Sequence, residues 1–142
     1  MESIDFAGFN DIRELGSGDG RFMHAVEKGY KTMVTGYEVN PIAFFICRLK
    51  ILLFGLDSRV IFKSFWDIDI KNADCVFCYL FPDIMPRLGE RLSHDLAKGA
   101  LVISANFPIP GWNPEKVLKC DHKIFNDHVY IYRIGSHLVE QY

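Results

Sequence analysis

Glu14-Leu15-Gly16-Ser17-Gly18-Asp19-Gly20 joins a short strand-like segment, Asp11–Leu15, to one with helical periodicity, Arg21–Lys28. A strand, a glycine-rich turn and a helix open a doubly wound α/β sheet, whose ligands sit in the crevice beyond the carboxyl ends of its strands. Glycines let the backbone approach a ligand closely and take positive φ without a Cβ clash. The spacing here is GxGxG, whereas dinucleotide binders use GxGxxG with a pyrophosphate on the helix N-terminus. The lysine of a P-loop is absent. Glu14, two positions before the first glycine, suits a ligand with an amino group better than one with a phosphate. Taken alone, the pattern also fits an ordinary tight turn.

Glu38 supplies a second signal. It lies 18 residues beyond Gly20, at the end of a second predicted strand, in Gly36-Tyr37-Glu38-Val39-Asn40. A carboxylate there can accept two hydrogen bonds from ribose hydroxyls. Together, Glu14 and Glu38 point to a nucleoside-bearing ligand with an amino end.

Strand-like and helix-like segments alternate outward from this loop. Phe22, Ala25 and Val26 share a face of the first helix, and Gly29 is expected to close it. Thr32–Glu38 reads as a strand. Asn40-Pro41 reads as an N-cap followed by proline at N1, opening a helix through about Phe54. In that helix Phe44 and Phe45, with Ile42 and Ile46, are expected to be core, and a membrane contact is the less favoured reading. Arg59–Phe62 and Ala73–Leu80 are further strands. Pro82 and Pro86 mark a broken helix start, Leu88, Leu92 and Leu96 form its stripe, and Gly99 is expected to end it. Ala100–Ala105 is a fifth strand. Lys119–Phe125 and His128–Ile134 read as a closing hairpin around Asn126-Asp127. Such alternation favours a mainly parallel sheet with an antiparallel edge.

The 142 residues fit one domain, residues 1–142, with no repeat or linker. A net charge of −2 without a block of like charge argues against a nucleic-acid partner. The longest apolar stretch, Pro41–Leu56, is interrupted by Arg48 and Lys50 and is shorter than a bilayer span of roughly 20 residues. No secretory signal is visible at Met1–Asn10, so a cytoplasmic location is expected. Cys75 and Cys78 are three apart in a predicted strand, so they point to opposite faces and cannot share one ion. Cys120 and His122 make no better site, and no metal is expected. The histidines at 24, 94, 122, 128 and 137 are scattered, and no GxSxG elbow is present. His24 is read as a packed or surface residue.

Five stretches together resemble the class I S-adenosylmethionine-dependent methyltransferases: ELGSGDGR (14–21), GYEVNP (36–41), SFWDID (64–69), CYLFPDIMPRLGERL (78–92) and NFPIPGW (106–112). More narrowly, they resemble the lysine N-methyltransferases that modify the ATP synthase c-subunit and the adenine nucleotide translocase, with their prokaryotic relatives. The likeness runs from about Asp11 to Arg133. It implies a Rossmann-like, mainly parallel seven-stranded sheet with a C-terminal antiparallel hairpin. It also implies S-adenosyl-L-methionine as cofactor and a protein lysine as the favoured acceptor. A small-molecule acceptor, or a non-catalytic binding module of the same fold, is the alternative.

The resemblance implies roles position by position. Glu14 meets the amino end of the methionine moiety, above the backbone of Gly16, Ser17, Gly18 and Gly20. Glu38 holds the ribose and Val39 packs near adenine, which Ser64, Phe65 and Trp66 also approach. Tyr79 stands where donor meets acceptor and is the catalytic candidate. Phe81, Pro82, Phe107 and Trp112 line the acceptor side. The family's adenine-contacting position is typically an aspartate. Ser64 occupies it here, with Asp67 as a substitute. Relatives carry a segment before the first strand, whereas about ten residues precede it here. Arg13, in a strand expected to be buried, points to an uncovered face beside that strand. Another chain, or residues upstream, would cover it, and some self-association is expected.

Overall fold

The structure, a computed structural model, describes residues 4–122 and 125–138, with the backbone alone at 120–122 and 125–127. The chain divides into two compact units, Met1–Asp69 and Ile70–Tyr142.

The first unit contains β1 (Ile12–Leu15), α1 (Arg21–Tyr30), β2 (Val34–Glu38), α2 (Pro41–Leu53) and β3 (Arg59–Phe62). Its strands are parallel in the order β3-β2-β1, with Leu15 opposite Tyr37 and Glu38 opposite Phe62. Parallel neighbours need crossover connections, and α1 and α2 supply them. Ahead of β1, Phe6 is fully buried in a 3-10 turn and packs edge-on against Phe22 and Tyr30 of α1. The segment before β1 is thus packed on α1.

Helix α1 buries Phe22, Met23 and Val26, so Met23, not Ala25, completes the apolar face. Ala25 is exposed. The helix runs through Gly29 and ends at Lys31 in the left-handed conformation (φ 54°), whose amide bonds back to Glu27. Lysine thus takes the position expected of glycine. Helix α2 starts as read: Asn40 Oδ1 accepts from the amides of Ile42 and Ala43, and Pro41 follows it. Its core assignment is overturned. Only Cys47 is buried, whereas Ile42 is 73% exposed, Phe45 66% and Leu52 72%. Each such side chain would gain about 1.5–3 kcal/mol on full burial, which this helix forgoes.

The face beside β1 is uncovered but polar. The Arg13 guanidinium bonds to the Asp11 carboxylate, the Tyr37 hydroxyl and the Asp69 carbonyl. Those bonds hold the Arg13 side chain charged and raise its pKa, the Asp11 bond most of all. A pocket of about 370 Å³ opens there, lined in part by Arg13, Thr35, Tyr37 and Arg59. The apolar exposure that motivated self-association lies on α2 instead.

The second unit contains β4 (Cys75–Cys78), α3 (Met85–Asp95), β5 (Leu101–Ala105), β6 (Lys116–His122) and β7 (Phe125–Arg133). Strands β4 and β5 are parallel, β7 runs antiparallel to β5, and β6 antiparallel to β7. Asn126 and Asp127 are paired within β7, so they are not the hairpin turn, and the residues between β6 and β7 lie outside those described. The two prolines act as read: Pro82 opens a 3-10 turn and Pro86 sits in the first turn of α3. Leu88, Leu92 and Leu96 are buried, yet α3 stops at Asp95 and Leu96 is already extended. Gly99, three residues further on at φ 96°, shapes the entry to β5 and does not cap the helix.

Candidate functional site

The glycine loop hangs from the carboxyl end of β2. The amides of Gly16 and Ser17 both donate to the Tyr37 carbonyl, at 3.0 and 2.9 Å. The amide of Gly20 donates to the Ser17 carbonyl at 3.0 Å, and that of Gly18 to Glu38 Oε1 at 2.8 Å. Gly16, Gly18 and Gly20 all have positive φ, which an L side chain takes only at a cost. Four loop amides are thus consumed inside the protein. A phosphate cradle needs such amides aimed outward, so this loop is not one.

Glu14, the penultimate residue of β1, is 3% exposed. Its Oε1 is buried and meets no hydrogen-bond partner among the described residues. Burial pushes the Glu14 carboxyl well above the usual carboxylate range, and the nearby charges of Asp19 and Glu38 push the same way. A buried carboxylate without a countercharge is costly. Its chemistry calls for a cationic donor, which an ammonium group supplies. Strand alternation puts Arg13 and Glu14 on opposite faces of β1, so the Arg13 groove is not part of this cradle.

Glu38 closes β2 and clasps the loop. Besides Gly18, its carboxylate accepts from the amides of Val39 and Asn40 at 2.9 and 3.0 Å, both on Oε2. A carboxylate has about four acceptor sites, so Oε1 keeps one for a hydroxyl. Asp19 adds a contact that sequence reading missed, bridging Arg21 at 2.9 Å and Lys50 of α2 at 3.5 Å. The Tyr37 carbonyl was missed as well, because a backbone acceptor leaves no mark in residue type.

Other predicted positions fall as follows. Val39 is 59% exposed just after β2. Ser64 caps a 3-10 turn, Phe65–Asp67, its hydroxyl accepting from Trp66 N at 3.2 Å. The Phe65 and Trp66 rings lie 4.9 Å apart, both half-buried, and Asp67 is exposed. His24 stacks on Phe54 at 4.5 Å, which is the packed reading.

In the second unit, Tyr79 follows β4 and is exposed, as are Phe81 and Pro82 at the start of the 3-10 turn. Phe107 is half-buried, its carbonyl accepting from Ser104 Oγ at 2.6 Å. Cys78 pairs with Ser104, so the Tyr79–Pro82 and Phe107 segments leave the same end of the parallel pair β4 and β5. Trp112 is packed into this unit, edge-on to Tyr132 and His137. The close contact of Ile109 and Trp112 with Gly89 of α3 leaves no room there for a Cβ. Ser93 and His137, 2.8 Å apart, do not form a nucleophile–base pair. The amide of Gly135 donates to His137 Nδ1, so Nε2 carries the proton and donates to Ser93. Cys75 and Cys78 are buried thiols, and burial pushes Cys78 up to about 12.

Comparison with known proteins identifies this architecture. The ANTKMT methyltransferase domain matches residues 14–116. A protein-lysine N-methyltransferase of Saccharolobus islandicus is 31% identical over 129 residues, 89% of this chain and 80% of that protein. The adenine nucleotide translocase lysine N-methyltransferase of Mus musculus is 33% identical over 107 residues, 74% of this chain and 47% of that protein. The chain therefore spans about half the length of this mammalian relative. Among solved structures, an RNA methyltransferase of Salinibacter ruber in complex with S-adenosyl-L-homocysteine superposes with a TM-score of 0.83 at 25% identity. The match covers 93% of this chain and 85% of that one. The Rossmann-like, mixed seven-stranded α/β class read from the sequence therefore stands, antiparallel C-terminal strands included. With its loop, its buried acid and its strand-end carboxylate in the family's region of match, the chain belongs to the ANTKMT methyltransferase domain family.

Proposed function

We propose that this protein is an S-adenosylmethionine-dependent protein-lysine N-methyltransferase. One observation carries the cofactor assignment: the buried Glu14 carboxylate, with Oε1 unpartnered among the described residues, stands at the root of a loop whose own amides are already satisfied. That arrangement fits a ligand bound through a cation and shape rather than through phosphates. The named relatives supply the acceptor class, a protein lysine.

When bound, S-adenosylmethionine supplies a methyl group on a sulfonium, whose thioether leaves without help from a general acid. The chain's residues then have three tasks. Glu14 accepts from the ammonium of the amino-acid end, and that charge draws the carboxyl into its ionised form. Glu38, held by three amides, offers Oε1 to a ribose hydroxyl, with Val39, Ser64, Phe65 and Trp66 beside the base. In the second unit, Tyr79, Phe81 and Phe107 present aromatic faces to the acceptor, with Pro82 beside them. Aromatic faces attract the cationic amine, and desolvation lowers its pKa, so that the proton passes to water and a neutral nitrogen remains. Trp112, being packed, supports the segment that carries Phe107. The free, buried thiols Cys47, Cys75 and Cys78 suit a reducing compartment such as the cytoplasm.

Calorimetric titration with S-adenosylhomocysteine tests the cofactor site, and methyl-labelled transfer into lysate proteins and RNA tests the acceptor. Label in protein, recovered as methyllysine after hydrolysis, supports this reading. Label in RNA or small molecules alone overturns the acceptor, and failure to bind at millimolar ligand overturns the cofactor.

A further inference from the structure

Helix α2 is apolar almost all round, and a helix of that composition is normally buried all round. Here it is buried on one side only. Ile42, Phe45, Ile46, Leu49, Leu52 and Leu53 recur at spacings of three and four and are all exposed. At 100° per residue they occupy one arc of about 120° along the whole helix. The exposed Phe54 and, on β3, Phe62 enlarge the patch, Phe62 touching α2 through Phe44.

The charges that α2 itself carries have one sign, and Lys50 is in addition paired with Asp19 of the glycine loop at 3.5 Å. Arg48 and Lys50 are the ionisable residues of α2 apart from the buried thiol of Cys47, and both are basic. On the helical wheel they stand on opposite flanks of the arc. Lys28 sits over the Phe54 ring at 5.8 Å, and Lys63 follows Phe62. A long basic side chain at the edge of an apolar face can lay its stem on that face and lift its charge to a polar boundary. A second copy is a poor occupant, since antiparallel packing of two such helices sets the Arg48 flank of one against the Arg48 flank of the other. An anionic lipid surface complements both the arc and its rim. Among the described residues, no helix is long and apolar enough to cross a membrane, so the contact is one of lying on it.

We propose that the exposed arc of α2, rimmed by Arg48 and Lys50, is a peripheral membrane-binding surface that lies in the plane of a bilayer carrying anionic headgroups. The inference stands on α2 alone and does not depend on methyl transfer. The test is flotation of the full chain with vesicles of phosphatidylcholine and phosphatidylglycerol in equal parts, and with phosphatidylcholine alone. The wild type should float with the mixed vesicles, less with the neutral ones, and less as salt rises. A double variant, Leu49→Glu with Leu52→Glu, should lose at least about tenfold in partitioning while keeping its circular dichroism. Should that variant not fold, Phe45→Trp provides a second reading, since its added fluorescence should shift to the blue on mixed vesicles. No flotation of the wild type, equal flotation of the double variant, or no shift with the tryptophan overturns the proposal. So does a lipid-free dimer that the double variant abolishes, because a second copy then covers the arc.

Discussion

The amide of Gly18 donates to Oε1 of Glu38 at 2.8 Å, tying the crest of the loop after β1 to the last residue of β2. The two signals that suggested a nucleoside ligand are thus one hydrogen-bonded assembly. Removing the acid should damage both the loop and the binding. Glu38→Ala strands three amides and should lower stability by about 2 kcal/mol, read by chemical denaturation. It should also weaken S-adenosylhomocysteine at least about tenfold. Glu38→Gln keeps one acceptor oxygen and should fall between the two.

Glu14 should trade stability for binding. Its folded pKa is raised by burial first, then by Asp19 and Glu38. The folded state therefore holds a proton that the unfolded state releases at lower pH. Its contribution is complete below the unfolded carboxyl value and is lost as pH rises toward the elevated folded value. Without ligand, Glu14→Gln should raise Tm at mildly alkaline pH and change little in acid. The same variant should bind S-adenosylmethionine about tenfold or more weakly, having lost a charge-assisted bond. A wild type more stable than the variant across that range would refute the assignment.

Binding should also release a proton. An ammonium arriving at a protonated Glu14 drives its ionisation, so affinity should rise with pH until the carboxyl of the free protein ionises unaided. Glu38, Asp19 and the buried thiol of Cys47 are the other ionisable groups near it. Calorimetry in buffers of different ionisation enthalpy measures the release directly, and Glu14→Gln should abolish it.

Gly36 marks where α1 and the loop approach β2 most closely. A Cβ there would lie 2.7 Å from Met23 Cε and 2.8 Å from Ser17 Cβ. Met23 can swing, but Ser17 belongs to the pinned loop. Gly36→Ala should cost about 1–3 kcal/mol, seen as a lower denaturation midpoint, and should loosen ligand binding through the displaced Ser17.

Much of this molecule was legible because local rules suffice for it. The Asn40-Pro41 helix start needs only a side-chain acceptor and a proline. The parallel pairing of β1 with β2 follows from the crossover that α1 provides. Where reading failed, a neighbour distant in sequence decided. Lys31, not Gly29, closes α1, since the helix runs further while Tyr30 packs on Phe6. Asn126 and Asp127 have turn chemistry but are held in β7 by its register with β6.

Sequence alone determined the order of strands and helices, the glycine loop and the two carboxylates that flank it, because periodicity and residue chemistry are written locally. Tertiary structure decided which groups are satisfied and which faces are covered. It left Glu14 Oε1 buried without a protein partner among the described residues, and it left the apolar arc of α2 facing outward. Both outcomes depend on what packs against a residue, and burial is a property of neighbours rather than of the residue itself.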